Sequence, residues 1–158
     1  MIFAVVGTQL SFDRMIRQVD EWAGRSGRTD IVAQVGWSDL KPRNIEFHGF
    51  IPPAQFARNL DAAELVIAHA GMGTILSALG LGKPIIVMPR LARLNEHRND
   101  HQLATARRFK ALGRIMVAMD EQELGARLDR FEFQPPSARI APFATDELLA
   151  RVRKFIEE

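Results

Sequence analysis

The segment AHAGMGT, Ala68 to Thr74, has the residue types of an anion-binding loop. It follows the apolar run LVI, which is typical of a buried strand, and it precedes ILSALG, which predicts a helix. Glycine lets a phosphate approach the backbone, and the free N–H groups and positive dipole end of a helix N-terminus attract negative charge. We therefore predict a phosphate site here, with a plain strand-to-helix corner as the alternative. Its residues are His69, Gly71, Met72, Gly73 and Thr74.

Other interpretations of this loop fit less well. The uncharged stretch from Leu65 to Gly82 approaches the ~20 residues of a membrane span, but it lacks flanking basic clusters and holds His69 among glycines. A dinucleotide fingerprint would need a glycine where Leu76 stands, and GLGKP lacks the spacing and hydroxyl of a P-loop. The sequence favours a ligand loop within a buried core.

A polar segment, NEHRNDHQ, follows the apolar run PIIVMP. Its side chains offer the donors and acceptors that bind sugar hydroxyls, and open α/β sheets bind ligands at the carboxyl ends of their strands. We therefore predict a sugar-binding loop, with a solvated loop and an N-capping Asn or Asp as the alternative. The candidate residues are Glu96, Asn99, Asp100, His101 and Gln102.

The spacing of His97 and His101 also permits a metal site, because residues four apart share one face of a helix. The pair lacks the glutamate of the H-E-x-x-H motif, and no third ligand is evident. We therefore expect no bound metal and no cofactor.

Strand-like and helix-like segments alternate along the chain, starting with IFAVVG, FDRMIRQVDEWAGRSG and DIVAQVG. This alternation predicts βαβ units, and hence an α/β, single Rossmann-like domain with a parallel sheet and helices on both faces. We place the core at 1–130 and a C-terminal extension with an amphipathic helix at 131–158.

The sequence predicts the buried faces and the ends of two helices. In the first, an apolar stripe should pack on the sheet, and Gly24 and Gly27 should end the helix. The stripe consists of Phe12, Ile16, Val19 and Trp22. We expect Thr145 to cap the last helix, whose apolar stripe would cover its own domain or dock on a partner.

The bulk composition is that of an ordinary globular protein. The 158 residues include 47% hydrophobic and 25% charged residues, no cysteine, and a net charge of +2. The absence of cysteine excludes disulfides and thiol catalysis, and the small net charge argues against nucleic-acid binding. The apolar start MIFAVVG is too short for a signal peptide, so we expect a cytoplasmic location.

The motifs AHAGMGTILSALGLGKPIIVMPR and NDHQLATA resemble the C-terminal, nucleotide-sugar-binding domain of glycosyltransferase family 28, and VVGTQLSFDRMI and IVAQVG also fit. The nearest likeness is to the short catalytic subunit of two-chain transferases of bacterial exopolysaccharide assembly. The resemblance implies the donor-binding half of a GT-B transferase, with a UDP-sugar bound at His69 to Thr74.

The resemblance also implies roles for further residues. Phe50 and Ile51 match the pair that lies against uracil, and Gly7 and Thr8 match the first glycine loop. His69 and His101 are the candidate catalytic residues, although the general base is expected on the partner. Ser77 stands where the family usually has a ribose-binding glutamate, for which Glu96 could substitute.

The implied function is inverting transfer of a sugar to a lipid-linked saccharide acceptor, together with a membrane-anchored subunit that would place this chain at the inner face of the membrane. The sugar would be glucuronate if one of the nearby arginines, such as Arg90 or Arg98, bound its carboxylate, and galactose, glucose and N-acetylglucosamine are the other candidates. Two alternatives remain at this point, a non-catalytic stabilising or activating subunit of such a transferase and an NAD-linked Rossmann protein.

Overall fold

The computed structural model describes residues 1–113, 115–132, 139 and 146–157. The strands are β1 (Ile2–Val5), β2 (Ile31–Gln34), β3 (Glu46–His48), β4 (Leu65–His69), β5 (Ile85–Met88) and β6 (Met116–Val117). The helices are α1 (Asp13–Ser26), α2 (Pro53–Ala62), α3 (Met72–Gly80), α4 (His101–Leu112), α5 (Glu121–Asp129) and α6 (Asp146–Glu157), with a 3-10 turn at Ala92–Leu94.

All six strands pair in parallel, in the order β3-β2-β1-β4-β5-β6. The chain therefore leaves the sheet centre in one direction for β2 and β3 and in the other for β5 and β6. Such a reversal opens a crevice at the carboxyl ends of the two central strands. Here those strands are β1 and β4, so the loops that contain Gly7 and His69 lie on either side of the crevice.

Helices cover both faces of the sheet, as predicted from the alternation of elements. One core contains Ile2 and Ala4 of β1 with apolar residues of α1 and α5. The other contains Phe3 and Val5 of the same strand with residues of α2, α3 and α4. Because successive side chains of a strand point to opposite faces, β1 contributes to both cores.

The predicted apolar stripe of the first helix is confirmed, but the prediction that Gly24 helps to end this helix is wrong. The four stripe residues are all buried in the α1 face of the core. Helix α1 continues through Gly24 and ends at Ser26, and Gly27 then adopts the left-handed conformation, with φ of 70°. Only Gly27 is needed to end the helix, because only it has a backbone that other residues rarely adopt.

The C-terminal helix α6 buries none of its residues against the described part of the chain. Its apolar side chains Leu149, Val152, Phe155 and Ile156 are exposed, so the described residues do not show it covering its own domain. The predicted cap at Thr145 lies outside the described residues. No helix in the described ranges is both long enough and apolar enough to cross a membrane.

Candidate functional site

A cleft of about 540 Å³ lies at the carboxyl ends of β1 and β4. Nine of the residues proposed from sequence line it, namely Gly7, Thr8, Ile51, His69, Gly71, Gly73, Thr74, His101 and Gln102. Arg90, a candidate partner of a glucuronate carboxylate, also lines it, as do residues that the sequence did not assign to a substrate, among them Gln9, Gln34, Pro53, Phe56 and His97. The two predicted loops therefore meet in one site.

His69, the last residue of β4, is held in one tautomer. The Gln102 side-chain amide nitrogen donates to His69 Nδ1 at 3.2 Å, and the backbone N–H of Arg90 donates to the other end of that amide, Gln102 Oε1, at 3.3 Å. Since the second bond fixes the amide's orientation, His69 Nδ1 must accept and the proton must lie on Nε2. Burial, aided by the charge of Arg90, lowers the pKa of His69 to about 4, so the imidazole is neutral at pH 7.

Two glycines leave room for this imidazole. A Cβ atom on Gly71 would lie 2.1 Å from His69 Cε1, and one on Gly7 would lie 2.7 Å from His69 Nε2. Gly7 also has φ of +80°, which other residues rarely adopt. The sequence indicated Gly71 as part of a phosphate site and Gly7 as part of the first glycine loop, and the structure adds that both are required by the packing of His69.

The N-terminus of α3 has the features expected of an anion site. Gly71 is the N-cap residue and no side chain caps the helix. The backbone N–H of Ile75 bonds to the Gly71 carbonyl, which leaves the preceding N–H groups without an intrahelical partner. Ser77, in place of the family's glutamate, donates its hydroxyl to the Gly73 carbonyl at 2.9 Å and is thus bonded within the helix.

His97 and His101 form an edge-to-face pair with ring centroids 4.4 Å apart at the cleft wall. Asn99 Oδ1 accepts the backbone N–H of His101 and therefore also accepts its Nδ1–H, which leaves His101 Nε2 as an acceptor. His97 Nε2 lies 3.1 Å from Gln9 Oε1. Burial and the neighbouring His101, Arg90 and Arg98 lower the pKa of His97.

The end of the cleft that the resemblance predicts to bind the base contains a side chain that the motifs did not indicate, Gln34. Gln34 Oε1 accepts the backbone N–H of Ile51 at 3.1 Å, while Gln34 Nε2 donates to the Gly7 carbonyl at 3.4 Å. Phe50 does not line the cleft; its ring lies 4.8 Å from that of Trp37, which is 71% exposed. The sequence places Gln34 at the end of a predicted strand, but the pairing of that strand with β1 is evident only in the folded sheet.

Glu96 does not line the cleft, contrary to expectation. Its carboxylate accepts two hydrogen bonds from the Arg14 guanidinium, at 2.8 and 2.9 Å, and one from the Leu91 backbone N–H at 2.9 Å. A carboxylate bonded in this way supports the β5–α4 loop and is not available to a ribose. Arg90 is likewise unavailable to a glucuronate carboxylate, because its guanidinium nitrogens donate to backbone carbonyls.

Three further predicted contacts also lie off the cleft. Asp100 Oδ1 accepts the backbone N–H of Ala92 at 2.9 Å, and Asn99 orients His101. Met72 is exposed on the first turn of α3. The loop thus uses these polar side chains to support its own conformation, as Asn and Asp commonly do in turns.

The described residues contain no cluster of three or more His, Cys, Asp or Glu that could hold a metal ion. The cleft lining contains neither Asp nor Glu. Absence of a metal or cofactor from the reaction stays a prediction.

Solved structures share this fold. A solution structure of ALG13 covers 96% of this chain and 93% of its own, with 19% identity and a TM-score of 0.59. Os79 from O. sativa, in complex with UDP, matches with 16% identity and a TM-score of 0.60 over 82% of this chain and 31% of its own. These likenesses show that the fold is that of the C-terminal half of a GT-B glycosyltransferase.

Sequence comparison gives a similar result. The UDP-N-acetylglucosamine transferase subunit ALG13 of Eremothecium gossypii is 40% identical over 90 residues, which are 56% of this chain and 42% of the relative. The chain spans less than half the length of the curated relatives it matches. The model of the glycosyltransferase family 28 C-terminal domain matches residues 1–142. With nine-tenths of its length matched, the chain belongs to the glycosyltransferase family 28 C-terminal domain family.

Proposed function

We propose that this chain is the donor-binding catalytic subunit of a metal-independent, inverting glycosyltransferase that uses a UDP-sugar. The observation that carries the proposal is the neutral His69 imidazole, which directs an Nε2–H donor beside Gly7 and Gly71 at the uncapped N-terminus of α3. A neutral donor and a helix N-terminus suit a diphosphate, which develops negative charge as it leaves.

The proposed reaction exchanges one bond at the anomeric carbon for another. The bond from C1 to the β-phosphate oxygen breaks, and the acceptor hydroxyl forms a bond to C1 from the opposite face while a general base takes its proton. His69 Nε2–H and the α3 N-terminus stabilise the charge on the departing UDP. His101 Nε2, which is the acceptor nitrogen of the tautomer that Asn99 selects, is the base that this chain offers; otherwise a group of the partner takes that role.

We propose a second, membrane-anchored chain that supplies the acceptor side and holds this chain at the inner face of the membrane. Support comes from the relative of 40% identity, which is itself named as a subunit. The acceptor would be a lipid-linked saccharide, in exopolysaccharide assembly by the resemblance of the motifs. UDP-N-acetylglucosamine is the first donor to test because the relative's name contains it. For UDP-glucuronate, the exposed Arg98 is the one of the two candidate arginines that is still available to bind the sugar carboxylate.

The test is turnover of radiolabelled UDP-sugar by the chain alone and by the co-expressed pair. We expect little transfer by the chain alone and restored transfer by the pair. His101→Ala in the pair should reduce transfer, whereas the matched control His48→Ala, on an exposed edge-strand histidine, should not. Full transfer by the single chain would refute the need for a partner.

A non-catalytic supporting subunit is the second candidate. It is favoured by the lack of a carboxylate in the cleft lining and by Ser77, whose hydroxyl bonds within α3. On that hypothesis, His69→Ala and His101→Ala would leave the turnover of the pair unchanged.

A further inference from the structure

Arg90 follows β5 and is among the largest fully buried side chains, with 2% of its surface exposed. Its guanidinium donates to four backbone carbonyls in two different loops. Nη2 donates to Val6 at 2.6 Å and Leu10 at 2.5 Å, and Nη1 donates to Ser11 at 2.5 Å and Glu96 at 3.2 Å. The side chain thus links the β1–α1 loop to the β5–α4 loop.

The positive charge of Arg90 has no hydrogen-bonded carboxylate among the described residues. Burial lowers its pKa to about 10, an effect that the charges of Glu96 and Asp13 only partly offset, so the group stays charged at neutral pH. A buried charge without a bonded counter-ion is costly. Because Arg90 also lines the cleft, an anionic ligand in the cleft would lie near this charge.

The bonds of Arg90 also set the direction of two peptide groups at the cleft. The C=O and N–H of a trans peptide point in opposite directions. The Val6 carbonyl shares its peptide with the Gly7 N–H, and the Glu96 carbonyl shares its peptide with the His97 N–H. Both carbonyls bond to Arg90, so both N–H groups point away from it, and Gly7 and His97 line the cleft.

We propose that Arg90 is a positioning residue for the diphosphate of the donor: by binding carbonyls of both loops it orients the Gly7 and His97 N–H groups toward the phosphates. This inference rests on the proposed function and adds to it a residue that acts through the backbone. A residue with a merely structural role would affect the binding of any ligand of the cleft, whereas Arg90 should affect only ligands that carry the diphosphate.

The test compares UDP with uridine, which lacks the phosphates. Arg90→Met removes the charge and all five donors, while Arg90→Lys keeps the charge but lacks the planar arrangement of donors that reaches two loops. Arg93→Met is the matched control, since Arg93 is exposed on the 3-10 turn of the same loop. Each protein is titrated with both ligands by NMR, which measures weak affinities.

We expect Arg90→Met to weaken UDP binding by on the order of tenfold or more, as loss of charge-assisted hydrogen bonds does. Arg90→Lys should recover only part of that loss, because it lacks the bridging geometry. Uridine affinity should stay within about twofold of wild type in all three variants, and Arg93→Met should bind UDP as wild type does. Unchanged UDP affinity in Arg90→Met, or equal losses for UDP and uridine, would overturn the inference.

A measurement on the wild type covers the case in which the variants do not fold. The backbone amide signals of Gly7 and His97 should shift on addition of UDP and not of uridine; equal shifts with both ligands, or none with UDP, would overturn the role of Arg90. If neither the wild-type chain nor the co-expressed pair binds UDP at about 1 mM, a concentration that detects even weak complexes, the proposed function itself fails and this inference with it.

Discussion

Gln102 Nε2 lies 3.2 Å from His69 Nδ1, and this bond decides which nitrogen of His69 carries the proton. An amide nitrogen only donates, so Nδ1 accepts and Nε2 bears the hydrogen. The Arg90 backbone N–H keeps the Gln102 amide in place. One side chain of α4 therefore sets the hydrogen-bonding character of the last residue of β4.

Gln102→Glu should reverse this arrangement. The carboxylate keeps an oxygen for the Arg90 N–H but offers only acceptors to His69, which must then carry a proton on Nδ1. We expect the ¹⁵N spectrum of the imidazole to show that change and UDP affinity to fall by about tenfold, as for one lost charge-assisted bond. Gln122→Glu, at an exposed position of α5, is the control. An unchanged tautomer would contradict the assignment.

Substitutions at three glycines of the same segment distinguish an effect on the packing of His69 from an effect on ligand contact. Gly71→Ala places a Cβ 2.1 Å from the imidazole, whereas Gly73 and Gly80 have nothing within 4 Å of that position. We expect Gly71→Ala to abolish measurable UDP binding with the fold retained by circular dichroism. Gly80→Ala should bind UDP normally. Gly73→Ala leaves the free protein undisturbed, so any loss of affinity in it would show direct contact with the ligand.

Glu96 should contribute to the free energy of unfolding and not to the binding of the donor sugar. Glu96→Gln removes one of the two carboxylate partners of Arg14, the other being Glu121, and the bonds between Arg14 and Glu96 are largely shielded from solvent. We expect urea unfolding to show a loss of ~1–3 kcal/mol. The affinity ratio of UDP-N-acetylglucosamine to UDP should equal that of wild type. A change in this ratio would support the earlier assignment of Glu96 as a substrate contact.

Protein stability should decrease from pH 6.5 towards pH 4 because of His69. The pKa of this group is about 4 in the folded chain and 6.5 in the unfolded chain, so between these values only the unfolded chain takes up the proton. This loss of folding free energy is absent above pH 6.5 and reaches about 3 kcal/mol at most. Urea unfolding of His69→Gln should depend less on pH in this window than that of the wild type. Parallel slopes for wild type and His69→Gln would refute the shift.

Much of the fold was predictable because its signals are local. Phe12, Ile16, Val19 and Trp22 mark a helix face by spacing alone, and the continuous apolar run of β5 indicates a strand buried on both sides. Gly24 was misjudged as a helix end because a sequence shows where glycine is tolerated, not where a left-handed residue is required.

The residues that line the cleft were predictable in the glycine loops, as at Gly7, Gly71 and His69. The site was not predictable where a polar side chain could serve either a ligand or the loop that carries it. Glu96 and Asp100 have suitable chemistry for a sugar, but their partners, Arg14 and the Ala92 N–H, become evident only in the folded chain. Gln34 shows the converse, since its strand lies beside β1 only after the sheet has formed.

Calorimetric titration of the purified chain in metal-free buffer tests the central claim most directly. The ligands are UDP, UDP-N-acetylglucosamine, UDP-glucuronate, UDP-glucose and NADH, and the same series is repeated on the co-expressed pair. We predict binding of UDP and at least one UDP-sugar without metal, and no binding of NADH. Binding of NADH, or no binding of any UDP species by either the chain or the pair, would contradict a donor site at His69.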